Sequence, residues 1–283
     1  MRPALPALLV GATFIALSPI FVRVADVGPT ASAFWRVALA APLLWPLVAL
    51  SGKPLPRRAT WPLLAAAGFA FAGDLAFWHW SIQFTTVANS TLLANLASLF
   101  VTLAMWVFWR EAPTRTFLVG LAAALAGVVL LVRTSLGFSA TGLLGDAFGV
   151  VTALFYAGYI LAVKGLRDRG AATLQLMAIT TTITALVLFP VALASGEPLL
   201  PQSGLGWLKL LGLAWISHSA GQGLIAYSLA HLPAAFSSVS LLFQPVMATF
   251  FAWLLLAESP APLQIVGGIV VLLGIYLARR GSR

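Results

Sequence analysis

The chain has 283 residues, of which 61% are hydrophobic and 8% charged, and its formal net charge is +9. Soluble domains carry roughly a quarter charged residues, so this composition, with a mean hydropathy of +1.00, excludes an ordinary globular protein and places the chain in a membrane. The sequence contains no cysteine, which excludes disulfide and thiolate chemistry and leaves the redox compartment open.

A membrane crossing needs about 20 mostly apolar residues. Cut at its charged and Pro/Gly-rich joints, the chain yields ten such runs, predicted near 4–23, 29–50, 59–82, 86–109, 113–132, 141–164, 171–194, 205–229, 234–256 and 260–279. The first run, Pro3 to Val22, is longer than a signal-peptide core and is followed by nine more, so it is read as a retained helix. Positive charge on a soluble protein would suggest nucleic acid; here it sits in short loops between spans, where it sets orientation. With the N-terminus inside, Arg2, Lys53, Arg57, Arg58, Arg110, Arg115, Lys164, Arg167, Arg169, Arg279, Arg280 and Arg283 face the cytoplasm, twelve against the three outside, Arg23, Arg133 and Lys209. The expectation is a multi-pass protein of the bacterial cytoplasmic (inner) membrane with both termini cytoplasmic, partnered by the lipid bilayer and by no nucleic acid.

Polar side chains are costly in lipid and face a bundle interior or a watery cavity, and helical spacing says which of them share a face. On the first span Phe14 and Ser18 precede Pro19. The second span holds one charge, Arg36. On the third, Phe71, Asp74, Trp78 and Ser81 lie along one side, with His79 on the next. The fourth carries Thr91, Asn95, Ser98 and Thr102 as one stripe, and the sixth carries Thr152, Tyr156 and Tyr159. Trp215, His218 and Gln222 follow steps of three and four on the eighth. Ser237, Ser240 and Gln244, with Phe243 and Pro245 alongside, do the same on the ninth. Spans one, three, four, six, eight and nine are therefore expected to wall a central cavity. Each hydroxyl also has a plainer reading, since Ser and Thr in membrane helices bond their own backbone or hold neighbouring helices together.

Between the fourth and fifth spans the chain reads Glu111-Ala112-Pro113, and between the ninth and tenth Glu258-Ser259-Pro260. A shift of 147 positions aligns residues 80–131 with 227–278 without a gap. It matches Trp106 with Trp253, both Glu-x-Pro motifs, Gly120 with Gly267 and Gly127 with Gly274. The chain is read as a duplication: a first five-helix half over 1–134 and a second over 141–283. An odd number of crossings inserts the second half upside down, so the expected fold is all-α, ten transmembrane helices as two inverted repeats around a cavity. Proline is tolerated at a first helical position and an acid is favoured near the positive end of the helix dipole, so Glu111, Pro113, Glu258 and Pro260 are expected to start helices. Gly120, Gly127, Gly267 and Gly274 form small-residue faces that permit close helix approach, within the subunit or against a second copy; a monomer and an oligomer both remain open.

Duplicated five-helix halves, each carrying Glu-x-Pro, then Gly and another Gly seven residues on, resemble the EamA family of the drug/metabolite transporter superfamily over almost the whole chain. Arg36, in AFWRVALA, is similar to an arginine common in that family's second helix. Within the family the sequence looks most like the YddG-type exporters. The resemblance implies ten helices, a cavity between the halves, and export of aromatic and other neutral amino acids by alternating access, with drug-like or other metabolites as the alternative substrates.

Other classes fit less well. Gly73-Asp74 and Gly145-Asp146 only superficially suggest an intramembrane aspartyl protease, since neither is a GxGD motif. No HExxH occurs, and three dispersed histidines without cysteine make no metal site. A passive channel usually builds its pore from several subunits. No cofactor is called for. Asp74, His79 and His218 can titrate, so proton antiport and uniport are both consistent with the sequence.

Overall fold

The computed structural model describes residues 3–133 and 142–282. Arg2, Arg283 and the predicted ends of the two halves at 134 and 141 lie outside the described residues. Among the described residues the chain is helical, with no strand, and nine helical segments are long and apolar enough to cross a membrane.

In chain order, Ala4–Ile15 (α1) continues into Ser18–Val24 (α2), and Pro29–Ala38 (α3) into Ala41–Leu50 (α4); Trp61–Phe84 (α5) is unbroken. Val87–Ala94 (α6) leads into Ala97–Trp109 (α7), followed by Arg115–Val132 (α8), Gly142–Asp168 (α9) and Thr173–Ala194 (α10). Gly204–Gly212 (α11), a π-helical stretch over Leu213–Gln222 and Gly223–Ser228 (α12) form one continuous helical run. Ala234–Ser240 (α13), Phe243–Leu256 (α14) and Pro262–Gly281 (α15) complete the described chain.

The breaks within spans have local causes. Proline lacks an N–H and its ring crowds the carbonyl four residues back, and Pro19, Pro42 and Pro245 each stand just past a break. The break between α6 and α7 has no proline. There Asn95 Nδ2 donates to the Thr91 carbonyl at 2.7 Å and Ser98 Oγ to the Asn95 carbonyl at 3.0 Å, side-chain bonds that compete with the helical ladder.

The glycine faces pack on each other inside the chain. Thr114 Oγ1 donates to the Gly281 carbonyl at 2.7 Å and Gln264 Nε2 to the Leu131 carbonyl at 3.1 Å, so α8 and α15 run antiparallel. Between these ends a Cβ added at Gly127 would stand 2.6 Å from the Val271 nitrogen, and one at Gly267 2.8 Å from that of Leu131. Only glycine permits backbones this close.

The Glu-x-Pro corners correct one expectation. Pro113 and Pro260 do not occupy the first turn: α8 begins at Arg115 after an N-cap, Thr114, whose hydroxyl accepts from Phe117 N, and α15 begins at Pro262 after Ala261. The motif ends the preceding helix instead. Arg110 and Ala257, again 147 apart, both adopt the left-handed conformation, at φ 58° and 56°. Glu111 N then reaches back to the Met105 carbonyl at 3.1 Å and Glu258 N to that of Ala252 at 3.3 Å, satisfying carbonyls that a helix end leaves free.

Candidate functional site

Three broken helices meet in the middle of the fold. The α1–α2 break presents Ile15, Ala16, Ser18 and Pro19; the α6–α7 break presents Thr91, Ala94 and Asn95; the start of α14 presents Gln244, Pro245 and Ala248. Around them α5 contributes Phe71, Asp74, Leu75 and Trp78, α9 contributes Thr152 and Tyr156, α3 contributes Arg36, and Gln222 closes the ring. They enclose a cavity of about 140 Å³. Irregular backbone at membrane depth is tolerated where it lines a cavity, and discontinuous helices in transporters form their solute sites.

The aromatic wall is built on Phe71. Its ring lies 4.7 Å from that of Tyr159 and 5.3 Å from that of His218, and the Arg36 guanidinium sits over it at 5.8 Å. Tyr156 stacks on Tyr159 with an interplanar angle of 11° and lies beside the amides of Gln222 and Gln244. The amide nitrogens of Gln222 and Gln244 are buried with no hydrogen-bond partner among the described residues. Buried donors without partners are rare and costly, and two of them at one cavity leave donors free for a bound polar group.

The structure therefore brings Ser18, Phe71, Asp74, Trp78, Thr91, Asn95, Tyr156, Gln222 and Gln244 together at the cavity. Tyr159 and His218 stand behind this wall, both buried; His218 Nε2 shares a 2.8 Å hydrogen bond with Thr181 Oγ1. His79 is buried against Trp78 and donates from Nδ1 to the Leu75 carbonyl at 2.6 Å. Ser240 donates to its own helix, at the Phe236 carbonyl, while the buried Ser237 hydroxyl has no partner among the described residues. Phe14 and Phe243 are not among the lining residues; Phe243 packs against the core, and the Phe14 carbonyl accepts from Ser217 Oγ at 2.9 Å.

Trp215 is a correction. It is 46% exposed on the outside of the bundle, its Nε1 donating to the Leu39 carbonyl at 3.2 Å. The expected stripe assumed 3.6 residues per turn, but residues 213–222 wind as π-helix. With i→i+5 bonding a step of three no longer returns to the same face, whereas a step of four nearly does; His218 and Gln222 stay inside and Trp215 turns out. Arg36, the one charge in the second span and set apart from the expected cavity stripes, is 7% exposed and lines the cavity. Its sequence signal was present, because a lone charge inside a span marks a functional position.

A second space, of about 960 Å³, lies at the other end of α7, α9 and α15 and is bordered by Arg110, Glu111, Lys164, Asp168, Arg169 and His231. The opposite end of the bundle is tied across the chain. Arg23 Nη1 meets Glu258 Oε1 at 2.7 Å, Ser203 Oγ donates to Asp26 at 2.9 Å, and Lys209 Nζ to the Val24 carbonyl at 2.6 Å. Glu197 there accepts from Thr30 Oγ1 at 2.8 Å and Gln83 Nε2 at 3.0 Å.

A bundle of apolar helices that encloses a small polar and aromatic cavity, with cross-chain ties at one end and a separate, wide, charge-bordered space at the other, is by fold and site a membrane transport protein. The description "EamA-like transporter family" matches residues 2–133 and again 143–280. The chain belongs to that family. It is 29% identical to an uncharacterized transporter of Archaeoglobus fulgidus, over 91% of each chain. It is 24% identical to the pseudopaline exporter CntI of Pseudomonas aeruginosa, over 98% of this chain and 95% of that one. A probable terminal-alkyne amino-acid exporter of Streptantibioticus cattleyicolor is 27% identical over 82% of this chain and 79% of its own. A solved crystal structure covers all of this chain and 99% of its own, with a TM-score of 0.86 at 16% identity, a likeness of fold alone.

Proposed function

We propose that this protein exports small amphipathic metabolites, aromatic and other neutral amino acids foremost, across the cytoplasmic membrane by alternating access between two inverted five-helix halves, residues 1–134 and 141–283. The observation that carries the reading is the unequal state of two equivalent corners. Glu258 is latched to Arg23 at one end of the bundle, while Glu111, 147 residues earlier, borders the open vestibule. The charge bias puts that vestibule at the cytoplasm, with Arg110, Lys164 and Arg169 around it, so this conformation takes up solute from inside.

Several features support the inverted arrangement. The corresponding helices α8 and α15 run antiparallel where they touch, and matching corners carry the same left-handed residue. The continuous helical run over 204–228 serves as the tenth crossing, which makes five per half and leaves both termini cytoplasmic. Two near-equivalent packings of such halves expose one site to each side in turn. Family membership and two relatives named as exporters favour a carrier over an intramembrane enzyme.

The test is a panel of radiolabelled amino acids and drug-like cations in vesicles reconstituted with the purified chain. Saturable transport of phenylalanine or another neutral amino acid is expected. Transport of the cations with no amino acid carried overturns the assignment of substrate, and loss of amino acid to a new product overturns the assignment of class.

A further inference from the structure

Two opposite charges face the central cavity, and neither is paired. Arg36 and Asp74 both line it, and each sits in the other's field. Yet no Arg36 nitrogen comes within 4.0 Å of an Asp74 oxygen, and neither side chain has a hydrogen-bond partner among the described residues, Arg36 Nε being buried. Charges within a membrane are expensive, and they persist where they pair with each other, with backbone or with a transported solute. This pair stands unbridged at the wall of the central cavity.

The surroundings suit a dipolar guest. The Arg36 guanidinium lies over the Phe71 ring at 5.8 Å, a cation–π contact, and the guanidinium fork matches a carboxylate with two parallel hydrogen bonds. Asp74 stands on α5 one turn from Phe71 and from Trp78. The unused amide nitrogens of Gln222 and Gln244 supply further donors. The volume of about 140 Å³ is close to the roughly 150 Å³ of an engineered apolar cavity that holds benzene, room for an apolar side chain of that size.

We infer that Arg36 and Asp74 form a split receptor for the zwitterionic head of an α-amino acid, Arg36 taking the carboxylate and Asp74 the ammonium, with the side chain against Phe71, Trp78 and Tyr156. The inference rests on the proposed export of amino acids and specifies how that site selects them. An amine without a carboxylate leaves Arg36 buried and unmatched, and an acid without an ammonium does the same to Asp74. Such a penalty selects against half-molecules more sharply than any gain in contact area.

The experiment uses the full chain in lipid nanodiscs, radiolabelled L-phenylalanine, and competition by unlabelled L-phenylalanine, 2-phenylethylamine and 3-phenylpropionate. The unaltered protein should prefer phenylalanine to either half-molecule by roughly tenfold or more. Arg36→Gln should weaken phenylalanine and 3-phenylpropionate by a similar factor while sparing 2-phenylethylamine, and Asp74→Asn should show the mirror pattern. The comparison on the unaltered protein needs no variant to fold, and Arg36→Lys keeps the charge if Arg36→Gln does not fold. Half-molecules that compete as well as phenylalanine, or variants that lose all three ligands in step, overturn the inference. Phenylalanine bound equally by all three proteins overturns it while leaving amino-acid export intact; phenylalanine bound by none of them, with a different metabolite carried instead, removes both.

Discussion

Arg23 Nη1 donates to Glu258 Oε1 at 2.7 Å, whereas Glu111, in the Glu-x-Pro motif 147 residues earlier, has no ion-pair partner among the described residues. The bonded pair is well exposed, at 66% and 49%, and exposed pairs of this kind contribute only about 0.2–1 kcal/mol to stability. Its importance under the proposed mechanism is positional, as a bond present in one state and absent from the other. Arg23→Gln or Glu258→Gln should therefore leave the melting temperature nearly unchanged and shift the population towards the state open outside. The chain has no cysteine of its own, so a single cysteine at Ala94, on the cavity wall, can report this. An impermeant maleimide added outside should label it several-fold faster in either variant, and the swapped pair Arg23→Glu with Glu258→Arg should restore slow labelling. Equal labelling in all four proteins contradicts the latch.

Ala257 holds φ at 56°, a left-handed conformation that costs a residue with a Cβ about 1–2 kcal/mol and that glycine adopts freely. Ala257→Gly should raise stability by about 1 kcal/mol, read as an upward shift of the apparent melting temperature in detergent. A downward shift shows that the corner is not held as described.

The antiparallel contact of α8 with α15 should tolerate no side chain at Gly127, where a Cβ would stand 2.6 Å from the Val271 nitrogen. Gly127→Val should cost at least about 1–3 kcal/mol and reduce the monodisperse fraction on size exclusion. Gly223, a helical glycine with open space around its Cβ direction, provides the contrast: Gly223→Ala should raise stability by about 1 kcal/mol through helix propensity. Equal tolerance at the two sites contradicts the close approach.

Gln244 separates stability from function. Its buried amide nitrogen has no partner among the described residues, so Gln244→Ala removes a group whose desolvation is uncompensated. The melting temperature should hold or rise slightly while KM for transport rises roughly tenfold. Trp78→Ala should also impair transport, by removing aromatic wall, and both variants should do so more than Glu258→Gln. Unimpaired transport in both cavity variants overturns the site.

Much of this architecture was legible in the residues. Segment positions follow from hydropathy and from charge placed at the joints, and the spans predicted at 29–50 and 234–256 reach the observed ends of α3–α4 and α13–α14. Phe71 on the third span and His218 on the eighth were both expected to face the interior, and the structure sets their rings 5.3 Å apart. What escaped depends on backbone winding and on contacts between distant helices. A π-helical stretch has no signature in apolar spacing, so Trp215 was drawn inward with His218 and Gln222. Pro113 and Pro260 looked like first-turn residues, because their spacing gives no sign that Arg110 and Ala257 end the preceding helices in a left-handed cap. Arg36 was conspicuous as a charge within a span, yet its place over Phe71 at the cavity wall depends on how α3 packs against α5.

The central claim, that one cavity is presented to each side of the membrane by turns, is tested most directly by counterflow. Vesicles containing the purified chain are preloaded with unlabelled L-phenylalanine and diluted into a trace of the labelled amino acid. Preloading should accelerate entry of label and produce a transient overshoot, since a loaded carrier returns from the inner face carrying solute. Uptake at the same rate in loaded and empty vesicles, with no overshoot, would contradict alternating access.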